Sequence, residues 1–174
     1  CFSYISLHYI IIMDKIQTLL SQISLLSKKN NEILEIMGTR FNIFHILGVS
    51  HYENTHSTIL AELLNPEGTH GLHNSFLKLF LDINQIEGFD SRNALVRTEV
   101  AVSEYGRIDI LIESSNWAVI IENKFYAKDQ PEQLKRYNEY AIGKYGVGNY
   151  MILYLTPDGR YASDDSGRGV DYRC

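Results

Sequence analysis

The chain has 174 residues, enough for one domain with a full hydrophobic core and too few for two ordinary domains. Its composition, 45% hydrophobic and 21% charged, is typical of a globular protein. The net charge of −5 argues against a protein that binds nucleic acid with its whole surface. Any binding of a polyanion must therefore use a local part of the surface. The two cysteines, Cys1 and Cys174, lack zinc-site spacing. A reducing, cytoplasmic compartment is the simpler expectation, and a disulfide between the termini is the alternative.

The two ends of the chain predict its domain boundaries. Residues 1–12 are apolar but too short to span a bilayer, and they lack the basic region and cleavage site of a signal peptide. We therefore expect no membrane association. Met13 is a plausible natural start, so we interpret residues 1–12 as an upstream extension and 13–160 as a single domain. Residues 161–174 are expected to begin a truncated C-terminal region.

The first half of the domain predicts helices. Residues 14–37 have apolar side chains at spacings of three and four, which indicates one long amphipathic helix that ends at Gly38. A second helix is expected to begin at a cap residue, Thr55 or Ser57, and a third to span residues 73–82.

The second half changes to the two-residue period of β-strands. Strands are expected at 95–102, 107–113, 118–124 and 150–155, with a helix over 132–144 before the last strand. This order predicts an α/β fold with a central mixed β-sheet flanked by helices, preceded by an N-terminal helical segment.

The hairpin formed by the second and third strands gathers three charged side chains. With residues 114–117 as the connection, Asp109 pairs directly opposite Glu122. Lys124 lies two residues beyond Glu122 and therefore leaves the same face of the strand. Alternation in the second strand is expected to place one set of apolar residues together on one face: Ile108, Ile110 and Ile112.

These residue types are suited to metal-assisted hydrolysis. Two neighbouring carboxylates repel each other, and a divalent cation that prefers oxygen ligands relieves the repulsion. A lysine beside them can orient or deprotonate water, or stabilise charge on a phosphoryl group. The alternative is an ordinary strand pair with solvated carboxylates and a salt bridge. Further candidate site residues make the ordinary strand pair the less favoured interpretation. They are Glu99 in the preceding strand, and Gln133 and Tyr137 on one face of the following helix.

Together these motifs resemble the PD-(D/E)xK nuclease superfamily, in the restriction-endonuclease-like branch that has a Q-x-x-x-Y helix. The matching pieces are Arg107-Ile108-Asp109-Ile110, Ile121-Glu122-Asn123-Lys124, and the pair Gln133 and Tyr137. Upstream segments are also similar to bacterial members of the superfamily: Phe41-Asn42-Ile43-Phe44, His51-Tyr52-Glu53, His56-Ser57, Asn65-Pro66 and His70-Gly71-Leu72. The chain departs from the pattern at Ile108, where the family name has proline, a position that touches no metal.

The resemblance implies a restriction-endonuclease-like core and a role for each matching residue. Asp109, Glu122 and the main-chain carbonyl of Asn123 would bind Mg²⁺, for which Mn²⁺ can substitute, and Lys124 would position the attacking water. Glu99 would be an auxiliary acid. The remaining roles are substrate contact or support of the metal site for Gln133 and Tyr137, and a further metal ligand for His56. For His56 a capping or packing role is the alternative.

The expected function is therefore Mg²⁺-dependent hydrolysis of phosphodiester bonds in nucleic acid, with DNA as the favoured substrate and RNA left open. Restriction, repair or defence would be its setting. The alternative is a nuclease-like fold that serves as a non-catalytic binding or assembly module. A homodimer and an additional C-terminal domain are kept as candidate partners.

Overall fold

A computed structural model describes residues 2–36, 43–49 and 51–174, with side chains described from Met13 onward except those of residues 34 and 36. The chain forms two compact units, Cys1–Ser50 and His51–Cys174. The first unit contains helix α1 (Phe2–Ile36) and the short helix α2 (Ile43–Ile46). Residues 14–36 of the predicted helix lie within α1, whereas Met37 and the expected end at Gly38 are outside the described residues. Within the described ranges, no helix combines the length and the apolar character that a membrane crossing requires.

The second unit alternates helices and strands as the sequence predicts. Its elements are α3 (Glu53–Leu64), α4 (Ser75–Ile83), β1 (Leu95–Ala101), a 3₁₀ turn (Ser103–Tyr105), β2 (Arg107–Ser114), β3 (Trp117–Asn123), α5 (Gln133–Tyr145), β4 (Tyr150–Leu155) and α6 (Asp164–Gly167).

The predicted start of α3 was wrong. The helix begins at Glu53, with Tyr52 rather than Thr55 or Ser57 at the N-cap position, and Tyr52 makes no side-chain capping bond to the described residues. An acidic residue in the first turn favours this start, because a carboxylate is stabilised by the positive end of the helix dipole. Ser57 is instead buried inside the helix and faces the sheet residue Asn123.

The four strands form one mixed sheet in the order β1-β2-β3-β4. The first two pairings are antiparallel and β3 pairs with β4 in parallel, which confirms the predicted mixed sheet. Between β2 and β3 the register runs from Ser114↔Trp117 to Ile110↔Ile121. One further step places Asp109 opposite Glu122, so the predicted hairpin register is confirmed.

Two hydrophobic clusters sandwich the sheet. Residues at alternate positions of β2 and β3 pack with α3 and α4 on one face, including Ile110, Ile112, Val119 and Ile121. Their neighbours pack with α5 on the other face, including Leu111, Ile120, Leu134 and Tyr137. Full burial of each Val, Ile or Leu contributes about 1.5–3 kcal/mol. This packing therefore offsets the cost of holding charged side chains in the same strands.

The expected alternation fails at one position. Ile108 packs in the α5 cluster with Leu111 and not with Ile110 and Ile112, so that part of the prediction was wrong. The break coincides with Glu99, which has a left-handed φ of 52° and is absent from the ladder between β1 and β2. A residue in this conformation interrupts the pleat, so the side chains beyond it need not keep their face.

Residues 161–174 belong to the second unit and pack within it. Helix α6 packs against α5, and Ser166 and Gly167 of α6 are buried. Tyr172 accepts a hydrogen bond from the Ala162 amide at 3.1 Å. Arg173 pairs in parallel with Leu153, so this segment lies along the β4 edge of the sheet.

Candidate active site

The paired strands β2 and β3 bring Asp109, Glu122 and Lys124 together. Glu122 is only 1% exposed and Lys124 only 5%. The Lys124 ammonium Nζ lies 2.6 Å from Glu122 Oε1. Asp109 Oδ2 accepts a hydrogen bond of 2.8 Å from the backbone amide of Asn123, the residue between the other two. The three predicted side chains therefore form one connected group.

Helix α5 supports this group from one face of the sheet. Gln133 Nε2 donates to Glu122 Oε1 at 2.9 Å, and the Tyr137 hydroxyl lies 3.0 Å from Glu122 Oε2. Gln133 also donates to the Tyr137 hydroxyl at 3.0 Å, and that hydroxyl donates to the Arg107 carbonyl. The predicted i, i+4 pair thus faces the carboxylates, and it fixes the orientation of Glu122.

Burial and repulsion destabilise the negative charge of both carboxylates. Desolvation, followed by the nearby charge of Asp109, raises the pKa of Glu122 from 4.5 to about 7. Burial likewise raises the pKa of Asp109, with further contributions from the charges of Glu99 and Glu53, against the lowering effect of the Asn123 amide. Each acid therefore holds its charge less readily than it would in water.

Lys124 responds in the opposite direction. Burial is the largest single effect and would lower the pKa of its ammonium group, but the contact with Glu122 and the charges of Asp109 and Glu53 together outweigh burial and raise that pKa. The side chain is therefore a protonated donor at neutral pH. Such a group can hold and orient a water molecule or a phosphoryl oxygen, but it is poorly suited to removing a proton. This charge state favours the electrostatic and orienting roles expected for lysine over the role of a general base.

Glu99 lies at the edge of the same group. Its Oε2 pairs with Arg107 Nη1 at 2.8 Å, and its charge raises the pKa of Asp109. Its other carboxylate oxygen, Oε1, is buried and has no hydrogen-bond partner among the described residues. A buried anionic oxygen without a donor is costly, so it is available to a cation or to a water molecule.

Glu53 is a contributor to which sequence reasoning assigned no role. Its Oε1 accepts three backbone hydrogen bonds, from Phe125 at 2.7 Å and from Tyr126 and Ala127 at 3.0 Å each. Burial raises the pKa of Glu53, but these three bonds outweigh burial and lower it. The carboxylate therefore holds the segment that directly follows Lys124. The only signal for it was the His51-Tyr52-Glu53 match, and nothing in the sequence links it to residues more than 70 positions away.

The Asn123 side chain is tied to the first turns of α3. Its Nδ2 donates to Ser57 Oγ at 3.2 Å and to the Glu53 carbonyl at 3.4 Å. The resemblance implied a role for the main-chain carbonyl of Asn123, and the side-chain contacts were not anticipated. Together with the three bonds to the Glu53 carboxylate, they anchor the end of β3 on both sides of Lys124.

His56 lies in the first turn of α3, where its ring stacks on Phe125 with centroids 4.2 Å apart and an interplanar angle of 4°. Phe125 directly follows Lys124, so His56 borders the same strand end. No group of three or more His, Cys, Asp or Glu side chains lies within metal-binding distance anywhere in the described parts of the chain. The ligand role of His56 stays a prediction, beside the packing role that the stacked ring illustrates.

A mixed sheet whose central hairpin carries Asp, Glu and Lys, flanked by helices, defines a restriction-endonuclease-like α/β protein. The family model of the PD-(D/E)XK nuclease superfamily matches residues 41–170, and the chain belongs to this superfamily. No curated protein and no solved structure shows significant similarity to the chain. Members of the superfamily are nucleases that generally use divalent metals, which agrees with the destabilised carboxylate pair described above.

Proposed function

We propose that the chain is a Mg²⁺-dependent nuclease that hydrolyses phosphodiester bonds of DNA. The observation that carries this proposal is the half-buried Asp109 beside the buried Glu122, two acids whose pKa values are both raised by burial and by neighbouring negative charge. A divalent cation would relieve the repulsion and the desolvation cost together. An ordinary salt bridge between strands pairs one acid with one lysine. Here two acids lie beside one buried lysine, so one negative charge is left without a counter-charge.

The available donors suit Mg²⁺ better than a metal that needs a complete protein cage. Mg²⁺ keeps several water molecules and commonly uses one or two carboxylates. Asp109 and Glu122 would supply these, with the main-chain carbonyl of Asn123. The unpartnered buried oxygen of Glu99 supports an additional role for that acid, directly or through water. Mn²⁺ has the same preference for oxygen and should substitute. When bound, the cation would neutralise charge on the phosphate and activate water.

The protein residues around the pair have separate tasks in this proposal. Lys124, kept protonated by Glu122, would orient the attacking water or stabilise the negative charge that develops on the phosphate. Gln133 and Tyr137 would hold Glu122 in one rotamer through their contacts with its two carboxylate oxygens. Glu53 would hold the chain after Lys124 in place. A fixed geometry matters because misplacement by about 1 Å can reduce a rate about 100-fold.

An open cavity next to this strand end supports a site for substrate. It has a volume of about 460 Å³ and is lined by Tyr126, Ala127, Lys128, Asp129, Tyr154, Arg160 and Ser163. Its first lining residue, Tyr126, lies two positions after Lys124 in the sequence. The charge of Lys124 also interacts with that of Asp129, another lining residue. Lys128 and Arg160 bring positive charge to this cavity, beside Asp129 and with Arg160 paired to Asp158, and we expect these two cations to contact the phosphates.

A cleavage assay tests the proposal. Supercoiled plasmid, linear duplex, single-stranded DNA and RNA of matched sequence are incubated with the protein and Mg²⁺, and in parallel with EDTA. We expect Mg²⁺-dependent cleavage of DNA that the Asp109→Asn variant lacks. Cleavage that persists in EDTA would contradict the metal role, and cleavage of RNA alone would contradict the substrate. Binding without cleavage of any substrate would favour the non-catalytic module instead.

A further inference from the structure

Helix α1 has a continuous exposed apolar stripe. Its described side chains between Met13 and Ile33 are all exposed, and the apolar residues at regular spacing along it are between 45% and 68% exposed: Ile16, Leu19, Ile23, Leu26 and Ile33. A helix shorter than about 12–15 residues is only marginally stable alone in water, and a longer one still gains most of its stability from packing its apolar face. We therefore expect the apolar stripe of α1 to pack against a partner surface.

The stripe follows a heptad repeat, and Met13 and Leu20 at the flanking e positions widen it. With Ile16 at position a, the a positions continue as Ile23 and Asn30, and the d positions are Leu19, Leu26 and Ile33. The same register runs back through the helix in the sequence, with Phe2 and Tyr9 at a and Ile5 and Ile12 at d. From Gln17 to Glu35 the outward positions b, c and f are polar with the single exception of Leu25: Gln17, Thr18, Ser21, Ser24, Leu25, Lys28, Asn31, Glu32 and Glu35. In the sequence before Met13 several of these positions are apolar instead: Tyr4, Leu7, Ile10 and Ile11.

We propose that α1 pairs with α1 of a second copy of this chain as a parallel two-stranded coiled coil. Ile at a with Leu at d, as in the pairs Ile16/Leu19 and Ile23/Leu26, favours two parallel strands. One Asn at an a position fixes register and oligomer state. In a parallel, in-register pair the two Asn30 side chains meet and can hydrogen-bond to each other. In any other register each would face an apolar residue, which leaves a buried amide without a partner.

The available area is sufficient for a specific dimer. The 35 residues of α1 extend about 52 Å at a rise of about 1.5 Å each. A contact strip about 10 Å wide along this length buries about 500 Å² per chain, or about 1,000 Å² in total, which reaches the lower size of specific interfaces.

A second copy fits the stripe better than a lipid surface does. Helices that lie on membranes combine the apolar face with a polar face rich in Lys and Arg. Among the nine outward positions given above, only Lys28 is basic, and Glu32 and Glu35 are acidic. The pairing is also independent of the nuclease proposal, because it concerns the unit Cys1–Ser50 alone.

Two adjacent leucines provide a matched test. Leu25 and Leu26 are both 68% exposed in one chain, but Leu26 is at a d position and Leu25 is at the outward position c. Light scattering after size exclusion should give twice the 20.0 kDa chain mass for the wild type and for Leu25→Lys. Leu26→Lys should give the monomer mass, because two buried ammonium groups should raise the dissociation constant at least about 100-fold. A monomeric wild type, a larger oligomer, or equal behaviour of the two variants would overturn the proposal.

The orientation of the pair is tested by cross-linking. In a chain with Cys1→Ser and Cys174→Ser, the variant Asn30→Cys should form a disulfide-linked dimer under mild oxidation, whereas Asn31→Cys, at the outward position b, should not. Equal cross-linking at both positions, or none at Asn30→Cys in a dimeric protein, would overturn the parallel register. The emission of Trp117, the single tryptophan, reports on the fold of the sheet in every variant. Unchanged emission separates loss of pairing from unfolding of the nuclease unit.

Discussion

The metal-free protein should lose stability as the pH rises from about 4.5 to about 7, because Glu122 is buried with a raised pKa. The folded protein holds the Glu122 proton up to a pKa of about 7, whereas 4.5 is the ordinary value expected when the chain unfolds. The folded state therefore binds more protons between these two values, so stability decreases with pH in that window and stays lower above it. A shift of this size corresponds to about 3 kcal/mol.

Chemical denaturation in EDTA at a series of pH values measures this effect. Wild type should lose about 3 kcal/mol of unfolding free energy across the window, and Glu122→Gln should lose much less, since the amide does not titrate. Glu67→Gln, at an exposed position, serves as the control for removing one carboxylate and should keep the wild-type slope. Mg²⁺ should restore stability at the upper end of the range, where the carboxylate is charged. Equal slopes for wild type and Glu122→Gln would refute the assignment of the penalty to this residue.

Three further outcomes separate the roles of the neighbouring residues. Lys124→Ala should abolish cleavage but leave divalent-cation binding intact or slightly tighter, because a nearby positive charge is gone; weaker binding in titration would contradict this. Glu53→Ala should lower the melting temperature and the cleavage rate, whereas Glu53→Gln, which keeps an acceptor oxygen for the Phe125–Ala127 amides, should recover most of the stability; equal losses would show that the charge is needed. Lys128→Ala with Arg160→Ala should weaken DNA binding and reduce the salt slope by about 2, whereas an unchanged slope would place the substrate elsewhere.

Local sequence patterns were sufficient to predict the centre of the site. The two-residue period of β2 and β3, with the length of their connection, predicts that Asp109 lies opposite Glu122. The i, i+4 spacing of Gln133 and Tyr137 predicts that both lie on one helix face, and that face contacts Glu122. Each of these relations is set within one hairpin or one helix, where backbone geometry fixes which side chains are neighbours.

Contacts between distant segments could not be predicted in the same way. Glu53 contacts the amides after Lys124 across more than 70 residues, and this contact depends on how α3 packs on the sheet. The unexpected face of Ile108 coincides with the left-handed backbone at Glu99, a conformation that non-glycine residues rarely adopt. Cap residues such as Thr55 also misplace the start of α3, since tertiary contacts of Glu53 outweigh the local capping preference.

Isothermal titration of the wild-type protein and of Asp109→Asn with Mn²⁺, in place of Mg²⁺, tests the central claim most directly. Wild type should bind the cation, and binding should be strongly weakened in Asp109→Asn, because a neutral amide oxygen replaces an anionic ligand. A matched Glu67→Gln variant should bind as wild type does. If the wild-type protein binds no divalent cation, the assignment of Asp109 and Glu122 as a metal centre is contradicted, and the fold would serve as a binding module.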